Sequence, residues 1–390
     1  MTIICLSNQL WDWPLWTNKR QVMSRLANLG HQVVFVDPPI RLQKLVKQVI
    51  EWKWSLKRLL TGAREVTTEF GTNAKLLDFT PVTLNYSEDP NLTGFNVGRL
   101  LAGRSPQPDR SVVLWVYNPS MREYVDKIPH DILVYDCVDD YPAMANYKRL
   151  GLSQRIKDWE NVLVKKANVV FASAPGLVNR LKDLNERTYF APNAGSYELF
   201  SIASRKSTAC PVSLRGIKPP IIGFAGTIDD YKVDAGLVLK AAKACPDYSF
   251  VIVGPRAETD KAPDLEELSA LPNVRLLPEV KYEDQVPYYA YFDAFIIPYR
   301  LNEYTVGGCF PVKFFDSLAA GLPTIVTNLP AYELYQSVCY IAKSGEEFVT
   351  MIKQAVSENS GSKETLRKNI AKENSWDNKV EKMLRVIKEL

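Results

Sequence analysis

Histidine is nearly missing from this chain: among 390 residues there are two, His31 and His130. Metal centres and nucleophile–base triads draw heavily on imidazole, so two histidines weigh against a zinc hydrolase or a Ser-His-Asp enzyme. His31 follows the helix-ending Gly30 and reads as packing at a helix end. The six cysteines (Cys5, Cys137, Cys210, Cys245, Cys309, Cys339) include no C-x-x-C pair. That argues against a disulfide scaffold or a thiolate metal site and suits a reducing cytoplasm. No apolar run reaches the roughly 18 residues of a transmembrane helix. The opening MTIICLSNQLWDWP lacks the basic and apolar regions of a signal peptide. The loop after the first strand has no G-x-G-x-x-G, which weighs against a nicotinamide or flavin dinucleotide. There is no short-period repeat.

What is present is a soluble, globular composition, with 46% hydrophobic and 24% charged residues. The length favours two domains. A net charge of +4 is too mild for a nucleic-acid binder. Its distribution says more. Residues 41–64 hold Arg41, Lys44, Lys47, Lys53, Lys57, Arg58 and Arg64 against one acid, Glu51. Leu42, Leu45, Val46, Val49, Trp52, Leu56 and Leu59 recur there at helical spacing. A basic amphipathic helix with tryptophan anchors fits an anionic membrane surface; the plain alternative is a helix packed on its own domain.

Strands and helices alternate along the rest. Strands are expected at Ile3–Leu6, Gln32–Val36, Val112–Tyr117, Ile132–Cys137, Val169–Ala172 and Thr188–Ala191. After a polar linker, Ile202–Pro219, they resume at Ile221–Ala225, Tyr248–Val253, Val274–Leu277, Ala294–Ile297 and Thr324–Thr327. Two βα-repeating halves of parallel sheet follow, an α/β fold, with ligands expected at strand C-terminal ends in a cleft between the halves. The stretch NEYTVGGCFPVKFFDSLAAGLPTIVTNLP, Asn302–Pro330, reads as loop, helix and strand. Gly307 and Gly308 would let backbone approach a ligand, Pro311 suits a first helical turn, and Gly321 with Pro323 ends the helix. Such a helix start favours a diphosphate, and Asp316 further along could accept hydrogen bonds from ribose hydroxyls. A plain capped αβ unit is the competing reading.

The order and spacing of several motifs resemble the retaining family 4 glycosyltransferases of the GT-B fold, and within them bacterial teichuronic-acid-type enzymes. The motifs are W-x-x-x-x-x-x-R-Q from Trp13, LGHQVVFVDPP, LVYDCVDDY, FASAPGL, APNAGSYELF, GFAGTIDDYKVD, FVIVGP, PNVRLLPEVKYEDQVPYYAYFDAFIIPY, PVKFFDSLAAGLPTIVT and SWDNKVEKMLRVI. The resemblance implies two Rossmann-like domains, an acceptor domain at 1–205 and a donor domain at 206–374, with a helix at 375–390 returning to the first. It implies sugar transfer from a UDP- or GDP-linked donor to a polysaccharide or lipid-linked acceptor, with retention and without metal or other cofactor. The enzyme would be cytoplasmic, peripheral on the inner face of the plasma membrane.

Asp316 takes the second position of the family's acidic pair, and Gly308 stands where the first carboxylate would be. Glu303, in Asn302-Glu303-x-Thr305, is the substitute from the loop. By resemblance Gly226, Thr227, Arg256, Val280, Thr305, Gly307, Gly308, Cys309, Phe310, Lys313 and Asp316 face the donor. Lys232 is the cation that stabilises the leaving diphosphate, with Lys313 a second candidate for that role. Asp139 falls near the family's catalytic histidine, with Asp136 and Asp140 as alternatives. Asn8, Trp11 and Asp136 would meet the acceptor, although Trp11, Trp13 and Trp16 could equally be hydrophobic cover. Two other readings share the fold: a nucleotide-sugar 2-epimerase, disfavoured by so few histidines, and a degenerate subunit that binds donor without turnover.

Overall fold

A computed structural model describes residues 1–12, 16–38, 40–41, 63–67, 75–80, 82–83, 111–205, 207–256 and 263–390. Trp13 and most of the basic stretch 41–64 lie outside the described residues. The chain divides into two units: Met1–Ala191 with Val380–Leu390, and Pro192–Lys379. The second unit takes in 192–205, which the sequence reading placed with the first. The C-terminal helix, Trp376–Lys388, begins in the second unit, and its residues from Val380 group with the first.

The first unit is built on an eight-stranded sheet. Its strands are β1 (Thr2–Leu6), β2 (Gln32–Val36), β4 (Ala63–Thr67), β5 (Lys75–Phe79), β7 (Val112–Val116), β8 (Ile132–Cys137), β9 (Val169–Ala172) and β10 (Thr188–Phe190). Their order is β10-β9-β8-β7-β1-β2-β5-β4. Pairing is parallel except between β4 and β5. A small separate sheet pairs β3 (Ile40–Arg41) with β6 (Val82–Thr83). The central strands read TIICL, QVVFV, VVLWV and ILVYDC because they are covered on both faces, which favours continuous β-branched and apolar runs over alternation. The helix Asn18–Asn28 buries Val22, Met23 and Leu26, and the chain leaves it through Gly30 at φ 85°.

A buried ion pair ties this sheet to its helices. Glu160, on the helix Ser153–Lys166, is fully buried. It accepts hydrogen bonds from Tyr135 Oη, at 2.7 Å, and from the guanidinium of Arg180 on the helix Pro175–Lys182. Arg180 also lies 3.7 Å from Asp140. Asp140, partly exposed, thus borders this structural cluster.

The second unit is a six-stranded, wholly parallel sheet: β11 (Ile221–Ala225), β12 (Ser249–Val253), β13 (Val274–Leu277), β14 (Ala294–Ile297), β15 (Thr324–Thr327) and β16 (Cys339–Ala342). The order β13-β12-β11-β14-β15-β16 reverses direction between β11 and β14. That is the switch point where loops part and leave room for a ligand. A Cβ on Gly223, inside β11, would stand 2.1 Å from the Phe292 ring, so glycine there is a packing requirement.

Removing one partner of a buried pair strands the other charge. Arg180→Met is expected to lower the unfolding free energy by about 3 kcal/mol, below the top of the usual range because Arg180 keeps some exposure. Adding Glu160→Gln should recover part of that loss. Urea unfolding measures both; a cost for Arg180→Met under about 0.5 kcal/mol, typical of neutral surface changes, would mean the pair does not support the fold.

Candidate functional site

Beside the switch point the ends of β11 and β12 come unusually close. Gly226 and Gly254 hold φ of 137° and 147°, and a Cβ on Gly254 would meet the Gly226 carbonyl oxygen at 2.1 Å. Only glycine permits this approach. The loops beyond stay paired, with Ile228 bridging to Arg256 and its N–H reaching Pro255 O at 2.9 Å. Thr227 is partly exposed beside Gly226, and Arg256 is exposed.

Lys313 opens the helix Lys313–Ala319 and sends its side chain to this point. A Cβ on Gly226 would stand 2.3 Å from Lys313 Nζ. The ammonium lies 4.1 Å from the Phe224 ring centroid and 5.5 Å from that of Tyr299. It has aromatic faces for neighbours and makes no hydrogen bond or ion pair among the described residues. Burial lowers its pKa to about 7, and the nearby Lys232 adds to the fall, against the pull of Asp229, Cys309 and Asp316. Lys232 is held on its own loop: its N–H reaches Asp229 Oδ1 at 2.7 Å, and its carbonyl accepts from Arg300 N–H at 2.7 Å. Its Nζ stands 5.6 Å from the Tyr304 ring centroid. The sequence ranked Lys232 above Lys313; the geometry brings both cations to the β11 end and sets Lys313 closer to the bare backbone of Gly226.

Asp316, one turn along the same helix, is not open to a ribose. It is 2% exposed, and both carboxylate oxygens are in use. Oδ1 accepts from Ser196 N–H and Oδ2 from Tyr282 O–H, each at 2.9 Å. Burial raises its pKa to about 7, with these two bonds and Lys313 opposing the rise. Tyr282 also lies 3.0 Å from Ser196 Oγ. The expected ribose contact is thus replaced by a structural clamp, because protein donors fill the acceptor sites first.

The stretch before the helix also departs from expectation. Residues Glu303–Gly308 form a short helix of their own. Asn302 and Thr305 make a capping box: Thr305 N–H donates to Asn302 Oδ1 and Asn302 N–H to Thr305 Oγ1, each at 3.0 Å. The N-E-x-T pattern is therefore a helix start, and Thr305 is buried within it. Gly307 and Gly308 lie in its last turn, where no positive φ demands glycine. Glu303 is exposed on the first turn. Cys309 and Phe310 are buried, with Phe310 stacked on Phe315 at 5.4 Å and its carbonyl taken by Asn193 Nδ2 at 2.8 Å. Val280 is partly exposed, two residues before Tyr282.

In the first unit, Asp136 is 1% exposed and accepts from Trp115 Nε1 at 3.2 Å. Its place on β8 buries it inside the sheet, which removes it from the acceptor surface. Trp11 is also buried, its ring edge-on to Phe35 at 5.1 Å, and its backbone N–H donates to Asp37 Oδ1 at 2.7 Å. It serves as cover for β2. Asn8 and Asp139 keep partial exposure at the ends of β1 and β8. Sequence reasoning missed Tyr282, Ser196 and Asn193, which look like ordinary loop polar residues, and Lys19, whose burial no local pattern announces.

Residues 219–358 match the family described as glycosyl transferases group 1, so the second unit carries that domain. The chain is 28% identical, over 277 residues and 68% of each protein, to a Bacillus subtilis protein named as the teichuronic acid biosynthesis glycosyltransferase TuaH. Solved structures share its fold from end to end. Sucrose-phosphate synthase from Thermosynechococcus elongatus aligns over 100% of this chain and 99% of its own, with 11% identity and a TM-score of 0.69. Anabaena HepE, solved with UDP and glucose, aligns over 100% of both at 12% identity and a TM-score of 0.67. The fold is GT-B, and the chain is a glycosyltransferase enzyme.

The clamp has a pH signature. A carboxyl raised from 3.8 to about 7 lets the folded state bind more protons than the unfolded chain across that interval. Its contribution to stability is complete below about pH 4 and is lost as pH rises through about 7. Asp316→Asn is expected to flatten that part of the stability–pH curve. An asparagine can still accept from Ser196 N–H while donating to Tyr282 Oη. Urea midpoints at successive pH values test this, and an unchanged slope in Asp316→Asn would refute it.

Proposed function

We propose, for a chain that carries a glycosyl transferases group 1 domain, that it moves a sugar from a nucleotide-sugar to a hydroxyl of a cell-surface polysaccharide or lipid-linked acceptor. The observation that carries this reading is the half-buried Lys313 ammonium, without a hydrogen bond or ion pair among the described residues, beside the bare backbone of Gly226. A nucleotide-sugar diphosphate supplies the missing anion. As the glycosidic bond breaks, the electron pair leaves with the diphosphate, and preplaced cations stabilise the charge that grows there. Lys313 takes this role with Lys232 behind it. The base, UDP- or GDP-linked, would meet backbone near Val280, and the HepE complex with UDP and glucose supports a donor of this class on the same fold. Exposed Glu303 is the carboxylate offered to the sugar, since Gly308 supplies none.

On the acceptor side, Asp139 is the group to orient the attacking hydroxyl or take its proton. Retention and independence from metal follow the family resemblance: the acceptor attacks on the face the diphosphate leaves, and a phosphate oxygen receives its proton. The Bacillus relative is named for teichuronic acid biosynthesis, which supports an acceptor of the polysaccharide class. The basic stretch 41–64 would hold the enzyme on the cytoplasmic membrane face, near a lipid-linked acceptor.

Calorimetry with a panel of UDP- and GDP-sugars tests the donor site. Lys313→Met is expected to weaken binding about 10- to 100-fold, the scale of a hydrogen bond to a charged group. Because Lys313 has a pKa of about 7 when free and a higher one against a diphosphate, binding takes up a proton above that pH. Wild-type affinity should fall as pH rises above about 7 and be flat below it, whereas Lys313→Arg, which stays charged, should lack the slope. A panel with no binder at all would sink the reading. Release of nucleoside diphosphate from the bound donor separates an enzyme from a binding-only subunit.

Anionic vesicles are expected to bind the protein at low salt and release it as salt rises. Co-sedimentation that is absent at low salt, or unaffected when Lys44, Lys47, Lys53 and Lys57 are all neutralised, would rule out the membrane role.

A further inference from the structure

Lys19 plays no part in the donor site, yet it is among the most deeply buried charges of the first unit. It lies in the first turn of the helix Asn18–Asn28 and is 4% exposed. Among the described residues its Nζ reaches one hydrogen-bond acceptor, Gln9 Oε1 at 3.5 Å, and stands 5.2 Å from the Tyr117 ring centroid. An ammonium carries three N–H donors, so one long contact to a neutral amide leaves it short of partners. Burial lowers its pKa, and of the groups that pull the other way Asp139 is the strongest, ahead of Cys5 and Asp136.

Two further observations converge on the same strand ends. Asn8, next to Gln9 in the loop after β1, has its Oδ1 buried without a hydrogen-bond partner among the described residues. Asp139 sits on a turn whose backbone is fixed at three points. Ser173 N–H donates to Cys137 O, Ser173 Oγ–H to Val138 O and Tyr141 N–H to Asp139 O, each at 3.0 Å. The Asp139 side chain is nonetheless partly exposed. Lys19 lies over Tyr117 there, and the turn that carries Asp139 opens on the same side, because β1, β7 and β8 are neighbours in the sheet and run parallel.

We propose that Lys19, Asn8 and Asp139 form a binding site for a neutral hydroxyl group of a sugar. The Lys19 ammonium donates to the hydroxyl oxygen, and Asn8 Oδ1 or the Asp139 carboxylate accepts the hydroxyl hydrogen. A hydroxyl both donates and accepts, so it can take a hydrogen from the ammonium and give its own to one of the two acceptors. An anionic group fits less well, because Asp139 and the buried Asp136 already offset the lysine charge. The site rests on the reading of the chain as a transferase to hydroxyl acceptors and names the residues that would recognise one.

Saturation-transfer NMR on the full chain tests it, with methyl glucoside, methyl galactoside and methyl mannoside as neutral probes and glucuronate and glucose 6-phosphate as anionic ones. At least one neutral probe is expected to bind wild-type protein, and Lys19→Met to weaken it about tenfold or more, the scale of a charge-assisted hydrogen bond. Asn8→Ala should weaken the same probe. Circular dichroism and a wild-type-like urea unfolding midpoint serve as the check that each variant is folded. If Lys19→Met fails that check, Lys19→Gln takes its place. Neutral probes that bind equally to wild type and Lys19→Met, or bind neither, would overturn the proposal. So would anionic probes alone losing affinity on substitution. Failure of wild-type protein to bind any nucleotide-sugar would instead strike the donor reading and leave the hydroxyl measurement standing.

Discussion

The carboxylate of Asp316 is the fixed point of the second unit. A buried carboxylate is costly unless its oxygens are matched by donors, and here two donors from distant parts of the chain supply the match. Ser196 brings the segment that opens the unit, and Tyr282 brings the loop after β13. The helix Lys313–Ala319 is held between them. Close packing reinforces the bond: a Cβ on Gly195 would stand 2.7 Å from Phe315 Cβ, and the Gly195 carbonyl accepts from Trp376 N–H at 3.2 Å. With the helix so fixed, the side chain of Lys313, three residues earlier, has one direction to go. It passes over Phe224 to Gly226. The position of the cation is thus a consequence of the clamp one turn below it.

This explains why the motif was readable and one residue's role was not. The spacing from Asp316 to Gly321 marks the helix and its end, and the structure keeps both. What a sequence cannot display is which partner reaches a carboxylate first. Ser196 and Tyr282 are 120 and 34 residues away from Asp316 along the chain. Only the folded chain brings them together, and they fill the oxygens that were assigned to ribose. The same limit applies to Asn302–Thr305. A short polar run beside glycines reads as a ligand loop, but the side chains satisfy their own backbone and start a helix instead.

The parallel strands were legible because burial on both faces forces runs such as VVLWV and SFVIV, which resemble little else. β16 was missed because its four residues, CYIA, are short and only half covered. Trp11 and Asp136 were misjudged for a shared reason. An aromatic in a strand-end loop and an acid at a strand end both suggest a ligand surface, yet one residue's difference in register decides whether a side chain faces solvent or the sheet. Asp136 falls inward and finds the Trp115 indole, while Asp139, beyond the strand end, stays partly exposed.

The charges that make no ion pair among the described residues are the more informative ones. Glu160 and Arg180 show how this fold treats a charge that serves stability: it pairs it, and adds Tyr135 to fill the remaining oxygen site. Lys313 and Lys19 are treated differently. Both stand at strand C-terminal ends, Lys19 buried and Lys313 half-buried; each has its pKa lowered by burial, and each is set against an aromatic ring with no carboxylate within bonding distance among the described residues. A methionine at either position would fill similar volume without the desolvation cost, so stability alone gives no reason for an ammonium there. The reason must lie in something the ammonium meets when a ligand is bound. In a chain with two histidines, it is lysine that supplies the cationic donor at both places.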